Sequence, residues 1–261
     1  MRRRRFAAWL AAVALARLAG GRAFAAPAAR APSAIDALRV ASLAERILKL
    51  HGQVGQGILA PRGRRALGTA IRDLDRAVHA LGVPPPPSEL HERIAILVLL
   101  VGQYRGWALR NPSRDVARAL AERAEEIEWE AQRIAALVPP RLGSEEALAA
   151  KAVAGGGEAE RIARLLLWQH WGVARPAAAA DLAQAKAALQ SRLEALREAP
   201  QADAATRAEL QVAENQASFL FAASWGGEGG RRSLEYAVKA SDNARESLER
   251  LADLYLSEAA R

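Results

Sequence analysis

Two short runs hold the residues of this chain best suited to binding chemistry. Glu45-Arg46-Ile47 is followed by Lys49, and Glu160-Arg161-Ile162 is followed by Arg164. Arg46 lies three residues after Leu43 and four before Leu50, which sets it beside an apolar helical stripe, and Arg161 has the same place in its own run. A guanidinium held there can take a carboxylate or an oxyanion with two parallel hydrogen bonds. The plainer use is an internal ion pair with an acid such as Glu92 or Glu126. Lys49 and Arg164 read as long stems lying along the helices with solvated heads. Arg46, Arg161, Lys49 and Arg164 are together the candidate ligand-binding cations.

Trp168-Gln169-His170-Trp171 places two indoles at i and i+3 on one side of a helix. Trp168 and Trp171 are therefore candidates for the wall of a small-ligand pocket, although this spacing equally suits core filling. Tyr104, Trp107, Trp129, Trp225, Phe219 and Phe221 read as core aromatics. His51, His79 and His91 are scattered, and no histidine has a carboxylate three residues before it, so the Glu-x-x-His pattern of di-iron bundles is missing. Neither a metal nor a cofactor is expected. Gly-x-Ser-x-Gly, P-loop and His-Glu-x-x-His motifs do not occur, and the acids of 125–130 (EEIEWE) read as a solvated face, so no enzyme is expected.

These residues must be positioned by helices. Half the chain is apolar, only 5% is aromatic, cysteine is absent, and Ala, Leu, Arg and Glu dominate. Without cysteine there can be no disulfide, thiol nucleophile or iron–sulfur cluster. Residues 1–25 read as a signal peptide: Arg2–Arg5, an apolar stretch from Phe6 to Ala16, and a small-residue cleavage site ending near Ala25. The apolar stretch is about eleven residues, against roughly 20 for a spanning helix. A periplasmic or secreted protein that does not span the membrane after cleavage is expected, exported by the general or the twin-arginine route. Cleavage lowers the net charge from +8 to about +2 and leaves no basic run to bind nucleic acid.

AERILKL (44–50) and AERIARL (159–165) are nearly one sequence. The same offset of 115 carries Gly57 to Gly172, Pro61 to Pro176, Leu67 to Leu182, Leu74 to Leu189 and Leu81 to Leu196. Within each copy, apolar residues recur at 4-3-4 spacing: Leu43, Ile47, Leu50 and Val54 on one helix, then Leu67, Ile71, Leu74, Val78 and Leu81 on the next. Proline runs at 84–87 and 139–140, with Asn111-Pro112-Ser113, separate the later helices. The expected fold is all-α, two tandem up-down-up-down four-helix bundles spanning residues 26–140 and 141–261. The first helix of the second bundle is predicted near residues 158–173. Gly155–Gly157 and the glycines of 226–230 are expected in loops, with a break or kink at the former, because three glycines cost a helix about 2–3 kcal/mol.

The stretch from Ala34 to Leu81, with Asp36, Glu45-Arg46, Lys49 and Gly57, resembles the N-terminal sensory domain of type IV pili methyl-accepting chemotaxis transducers, a PilJ-like domain related to NarX-type nitrate and nitrite sensor domains. The second copy answers with Glu160-Arg161, Arg164, Gly172 and Leu196, and AENQASFLF (213–221) is similar to the polar and aromatic third helix. The resemblance implies an extracytoplasmic ligand sensor without catalysis. It departs from the family at the usual ligand-reading arginine, whose places are held here by Ala41 and Gly156.

Two functions are expected from these readings. One is a stand-alone sensory or ligand-binding protein that takes a small anion between helices, with Arg46 and Arg161 meeting it across a pseudo-two-fold axis, and signals through a protein partner in the envelope. The other is an exported helical adaptor that binds no small molecule. The final residues, LADLYLSEAAR, include no second apolar span, so any signal is expected to pass through another protein.

Overall fold

The computed structural model describes residues 32–82, 84, 88–139, 143–173, 176–200, 202–223 and 230–259. Residues 1–25, read from sequence as a signal peptide, and Trp225 lie outside the described residues. Among those described the chain is all-helical, with eight helices and no strand. They are α1 (Ala34–Gly55), α2 (Ala60–Ala80), α3 (Glu89–Ala108), α4 (Arg114–Leu137), α5 (Gly143–Trp171), α6 (Ala178–Arg197), α7 (Ala204–Ala223) and α8 (Arg231–Ala259).

Local chemistry starts these helices. Ser33, Ser88 and Ser113 each accept a hydrogen bond from a first-turn amide, of Ile35, His91 and Val116 respectively. Asp203 does the same for Thr206 at 2.7 Å. Pro61 sits in the first turn of α2, where its missing N–H costs nothing.

The ends of α1 and α5 repeat one another. Gly57 and Gly172, 115 positions apart, adopt φ of +71° and +70°. The residues after them close the same long bond, Ile58 N–H to Gln53 C=O at 2.9 Å and Val173 N–H to Trp168 C=O at 3.0 Å. This six-to-one closure is a Schellman stop, which needs a left-handed residue that glycine supplies without strain.

Packing follows a matching order. α1 lies against α2 and α4, with α3 on α4; α5 lies against α6 and α8, with α7 on α8. The two sets meet chiefly through α1 against α5, and one hydrophobic cluster draws buried residues from all eight helices. α1 and α5 are consequently buried around most of their circumference.

That central position corrects the reading of Gly155–Gly157. α5 runs through them and begins at Gly143, well before the expected residue 158. A Cβ on Gly157 would lie 3.3 Å from the Ser42 Cα of α1, one on Gly156 3.3 Å from Arg245 Cγ, and one on Gly155 3.4 Å from Leu248 Cδ1. Neighbouring helices come so close that their packing offsets the low helix propensity of glycine. Two aromatic expectations also change: Tyr104 is fully buried and Trp107 partly, but Trp129 is 52% exposed and Phe219 64%. Trp129 lies on the surface with the Arg93 and Arg133 guanidiniums over its ring.

Candidate functional site

The two Glu-Arg-Ile runs come together on the α1–α5 seam, and their acids and cations cross-pair. Arg164 donates from Nε to Glu45 Oε2 at 2.8 Å, and its second nitrogen reaches Oε1 at 3.4 Å. In the reciprocal place Lys49 Nζ lies 2.6 Å from Glu160 Oε2. That contact lacks hydrogen-bond alignment; the aligned donations of Lys49 go to Asp242 at 2.5 Å and Ser241 at 3.2 Å, both on α8. Arg245, also on α8, approaches Glu160 Oε1 at 3.2 Å. Lys49 and Glu160 are fully buried and Arg164 nearly so, which corrects the expectation of solvated heads. A buried ammonium or guanidinium survives only with a carboxylate against it, so these two cations are committed to internal pairs.

Charge in this network is balanced by opposition. Burial acts to raise the Asp242 carboxyl, yet Lys49, Arg62 and Arg46 outweigh it and hold the group below the ordinary carboxylate range. His51, on α1 beside the network, is fully buried and held by its Nε2 contact to the Ala108 carbonyl at 2.9 Å. Burial lowers its basicity against that bond.

Arg46 and Arg161 face two different clefts, one on each side of the paired seam. Arg161 opens on a cleft of about 400 Å³ between α1, α4, α5 and α6, lined by Ala41, Glu45, Glu128, Ala154, Glu158 and Arg192 among others. It donates to both oxygens of Glu128 at 3.2 Å. The acids expected as internal partners are used otherwise: Glu126 pairs with Arg123 on its own helix, and Glu92 is exposed. Burial raises the Glu128 carboxyl despite Arg161.

Arg46 opens on a cleft of about 530 Å³ between α1, α2 and α8. Its neighbours are already engaged: Arg76 with Asp73, Arg39 with Asp36 and Asp253, and Arg245 with Glu160 and Glu249. Arg46 has no ion pair among the described residues, and its Nε is shielded from solvent without a hydrogen-bond partner. The expected single anion between Arg46 and Arg161 therefore does not fit this arrangement, because the Glu45–Arg164 and Lys49–Glu160 pairs occupy the seam that separates them.

Trp168 and Trp171 serve the seam. Trp168 is buried against Gly52, with the Arg164 guanidinium carbon 4.9 Å from its ring centroid. A Cβ on Gly55 would overlap the Trp171 ring. His170 lies 2.8 Å from the Gln56 side chain, whose nitrogen donates to the Leu167 carbonyl at 3.0 Å. These rings fill room left by two glycines, which is core packing at a helix crossing.

Glu158, Arg192, Asp242 and Arg245 were not among the residues singled out from sequence. The repeat does carry a signal for two of them: 115 positions earlier stand Leu43 and Ala77, so an acid and a base replace apolar residues at equivalent places. No three or more His, Asp or Glu side chains gather to hold a metal ion among the described residues. Against known proteins, the chain matches no family model, no curated protein and no solved structure.

Proposed function

We propose that the chain is an exported sensory or ligand-binding protein built from two tandem up-down-up-down bundles, residues 26–140 and 141–261, of the type IV pili transducer N-terminal kind. It takes a small anion in the cleft at Arg46 and passes the change in helix packing to a protein partner in the envelope, without catalysis. The observation that carries this reading is the half-buried Arg46 guanidinium, which feels Asp242 only at a distance and whose Nε has no hydrogen-bond partner, in a cleft whose other arginines are all paired. An anion there gains charge-assisted hydrogen bonds from a group that is already partly desolvated. It would also touch α1 and α2 from the first bundle and α8 from the second, so occupancy would bias how the two pack. The matching Schellman stops and the reciprocal ion pairs support descent from one duplicated unit.

The test is thermal unfolding of the protein lacking residues 1–25 with nitrate, sulfate, phosphate, acetate and citrate. A bound anion at a hundredfold excess over its Kd stabilises by about 2.7 kcal/mol. Arg46→Gln should remove that response. A response that survives in Arg46→Gln, or the lack of any response, sets the reading aside.

A second reading, an adaptor that offers a helix face to a partner, is favoured by α3. Its outer side exposes Ile96, Val98 and Leu99, with open space over Gly102 and Gly106. The exposed side of α7 also carries apolar residues, Val212 and Phe219, but interleaves them with the polar Gln211, Asn215 and Ser218. No described helix is long and apolar enough to cross a membrane. Leu99→Lys discriminates the readings: it should abolish partner capture by an adaptor and leave anion-induced stabilisation unchanged.

A further inference from the structure

We propose that the cleft between α1, α4, α5 and α6 binds a small zwitterion, a free amino acid, with its ammonium on Glu158 and its carboxylate on Arg192. This site is separate from the Arg46 cleft and does not rest on the anion reading.

Glu45 is engaged by Arg164 and Glu128 by Arg161, at 2.8 and 3.2 Å. Glu158 and Arg192 approach only to 3.9 Å, beyond hydrogen-bond reach. Glu158 Oε2, Arg192 Nε and Arg161 Nε are all shielded from solvent and lack a hydrogen-bond partner. An acid and a base thus stand side by side on α5 and α6, each with unfilled bonding capacity. Leaving such groups unpaired carries the full desolvation penalty of each, larger for charged ones.

The fold itself does not demand this pair. Its duplicate positions, Leu43 and Ala77, are apolar and line the opposite cleft without an ion pair between them. The remaining wall of the Glu158 cleft is mostly alanine and glycine, with Leu38, Ser42 and Gln132 among them, and leaves a space of about 400 Å³. That space suits a ligand of amino-acid size. Lys151 also lines the cleft and adds a positive charge. A bare anion would meet the carboxyls of Glu158 and Glu128, and a bare cation would meet Arg161, Arg192 and Lys151. A molecule that presents both charges satisfies both walls.

Burial pushes Glu158 up to about 7, against the pull of Arg161 and Arg192 and with the help of Glu128 and Glu45. A ligand ammonium placed against it favours the ionised form. Binding at pH 6 should therefore release a proton, and affinity should rise between pH 6 and pH 8.

The experiment is thermal shift and calorimetry on the protein lacking residues 1–25, with each of the twenty amino acids and, as half-ligands, acetate and methylammonium. In wild type and in Arg46→Gln, at least one amino acid should raise the melting temperature by about 5 °C or more at a hundredfold excess over Kd, while in Arg46→Gln, which lacks the anion cleft's cation, neither half-ligand does so at equal concentration. Glu158→Gln and Arg192→Gln should each weaken binding on the order of 10- to 100-fold, and Glu158→Gln should remove the proton release. Ala154→Leu, which fills the cleft without touching a charge, should also abolish the response and covers the case in which a charge variant misfolds. Arg46→Gln should leave it intact, which separates this site from the anion cleft. The proposal is overturned if no amino acid stabilises the protein, if acetate or methylammonium alone does as well in Arg46→Gln, if Glu158→Gln binds as tightly as wild type, or if the response persists in Ala154→Leu.

Discussion

Glu45 and Arg164 meet at 2.8 Å across the α1–α5 seam, and the residues 115 positions from each, Glu160 and Lys49, meet at 2.6 Å. Each copy of the Glu-Arg-Ile run supplies the acid for the cation of the other. Such reciprocity is what a two-fold interface produces, here within one chain. Equivalent residues face each other along the seam, with Ser42 beside Gly157 and Gly52 beside Leu167, so α1 and α5 run parallel and in register.

Because these pairs are buried, breaking one should cost more than removing it whole. Arg164→Met leaves the Glu45 carboxylate buried and unpaired, and is expected to destabilise by about 3–5 kcal/mol. Glu45→Gln with Arg164→Met should cost less than the sum of the two single changes. Chemical denaturation of the four proteins gives the coupling energy, and additivity within about 0.5 kcal/mol would contradict the paired geometry.

Two glycines should respond to alanine with opposite signs. Gly102 on α3 has open space where a Cβ would sit, so Gly102→Ala should stabilise by about 1 kcal/mol through helix propensity alone. Gly157→Ala sets a Cβ 3.3 Å from the Ser42 backbone and should destabilise by about 1–3 kcal/mol as the seam is forced apart. Melting temperatures of the two variants decide the matter, and a stabilising Gly157→Ala would mean the seam is looser than described.

Glu158 sets a pH dependence of the ligand-free protein. Its carboxyl is raised from the ordinary 4.5 to about 7 by burial, which outweighs Arg161 and Arg192. Between those values the folded protein holds a proton that the unfolded chain has released. Its stabilising contribution is therefore full below about pH 4.5 and is lost as pH rises through about 7. Wild type and Glu158→Gln should be similarly stable near pH 4.5. The variant should be the more stable near pH 8.5, by a margin on the order of 3 kcal/mol. A pH-independent difference between them would show that Glu158 ionises normally in the fold.

The sequence by itself determined the helices and most of their ends. Serine caps at 33, 88 and 113, Pro61, and the glycine stops at 57 and 172 act through bonds within a few residues, so their effects are visible in the letters. The 115-residue offset likewise marked Glu45, Arg46, Lys49, Glu160, Arg161 and Arg164 as one repeated constellation. Their partners were decided only by tertiary structure. Arg161 meets Glu128 and Lys49 meets Asp242 because α4 and α8 happen to cross the seam there, and neither residue lies near in sequence to its partner. The same holds for Gly155–Gly157: local propensity argues for a break, and close approach by α1 and α8 makes the stretch a helix interior. Whether a cation is solvated, paired or left free depends on long-range packing, which is why Arg46 and Arg161, equivalent in sequence, differ in the fold.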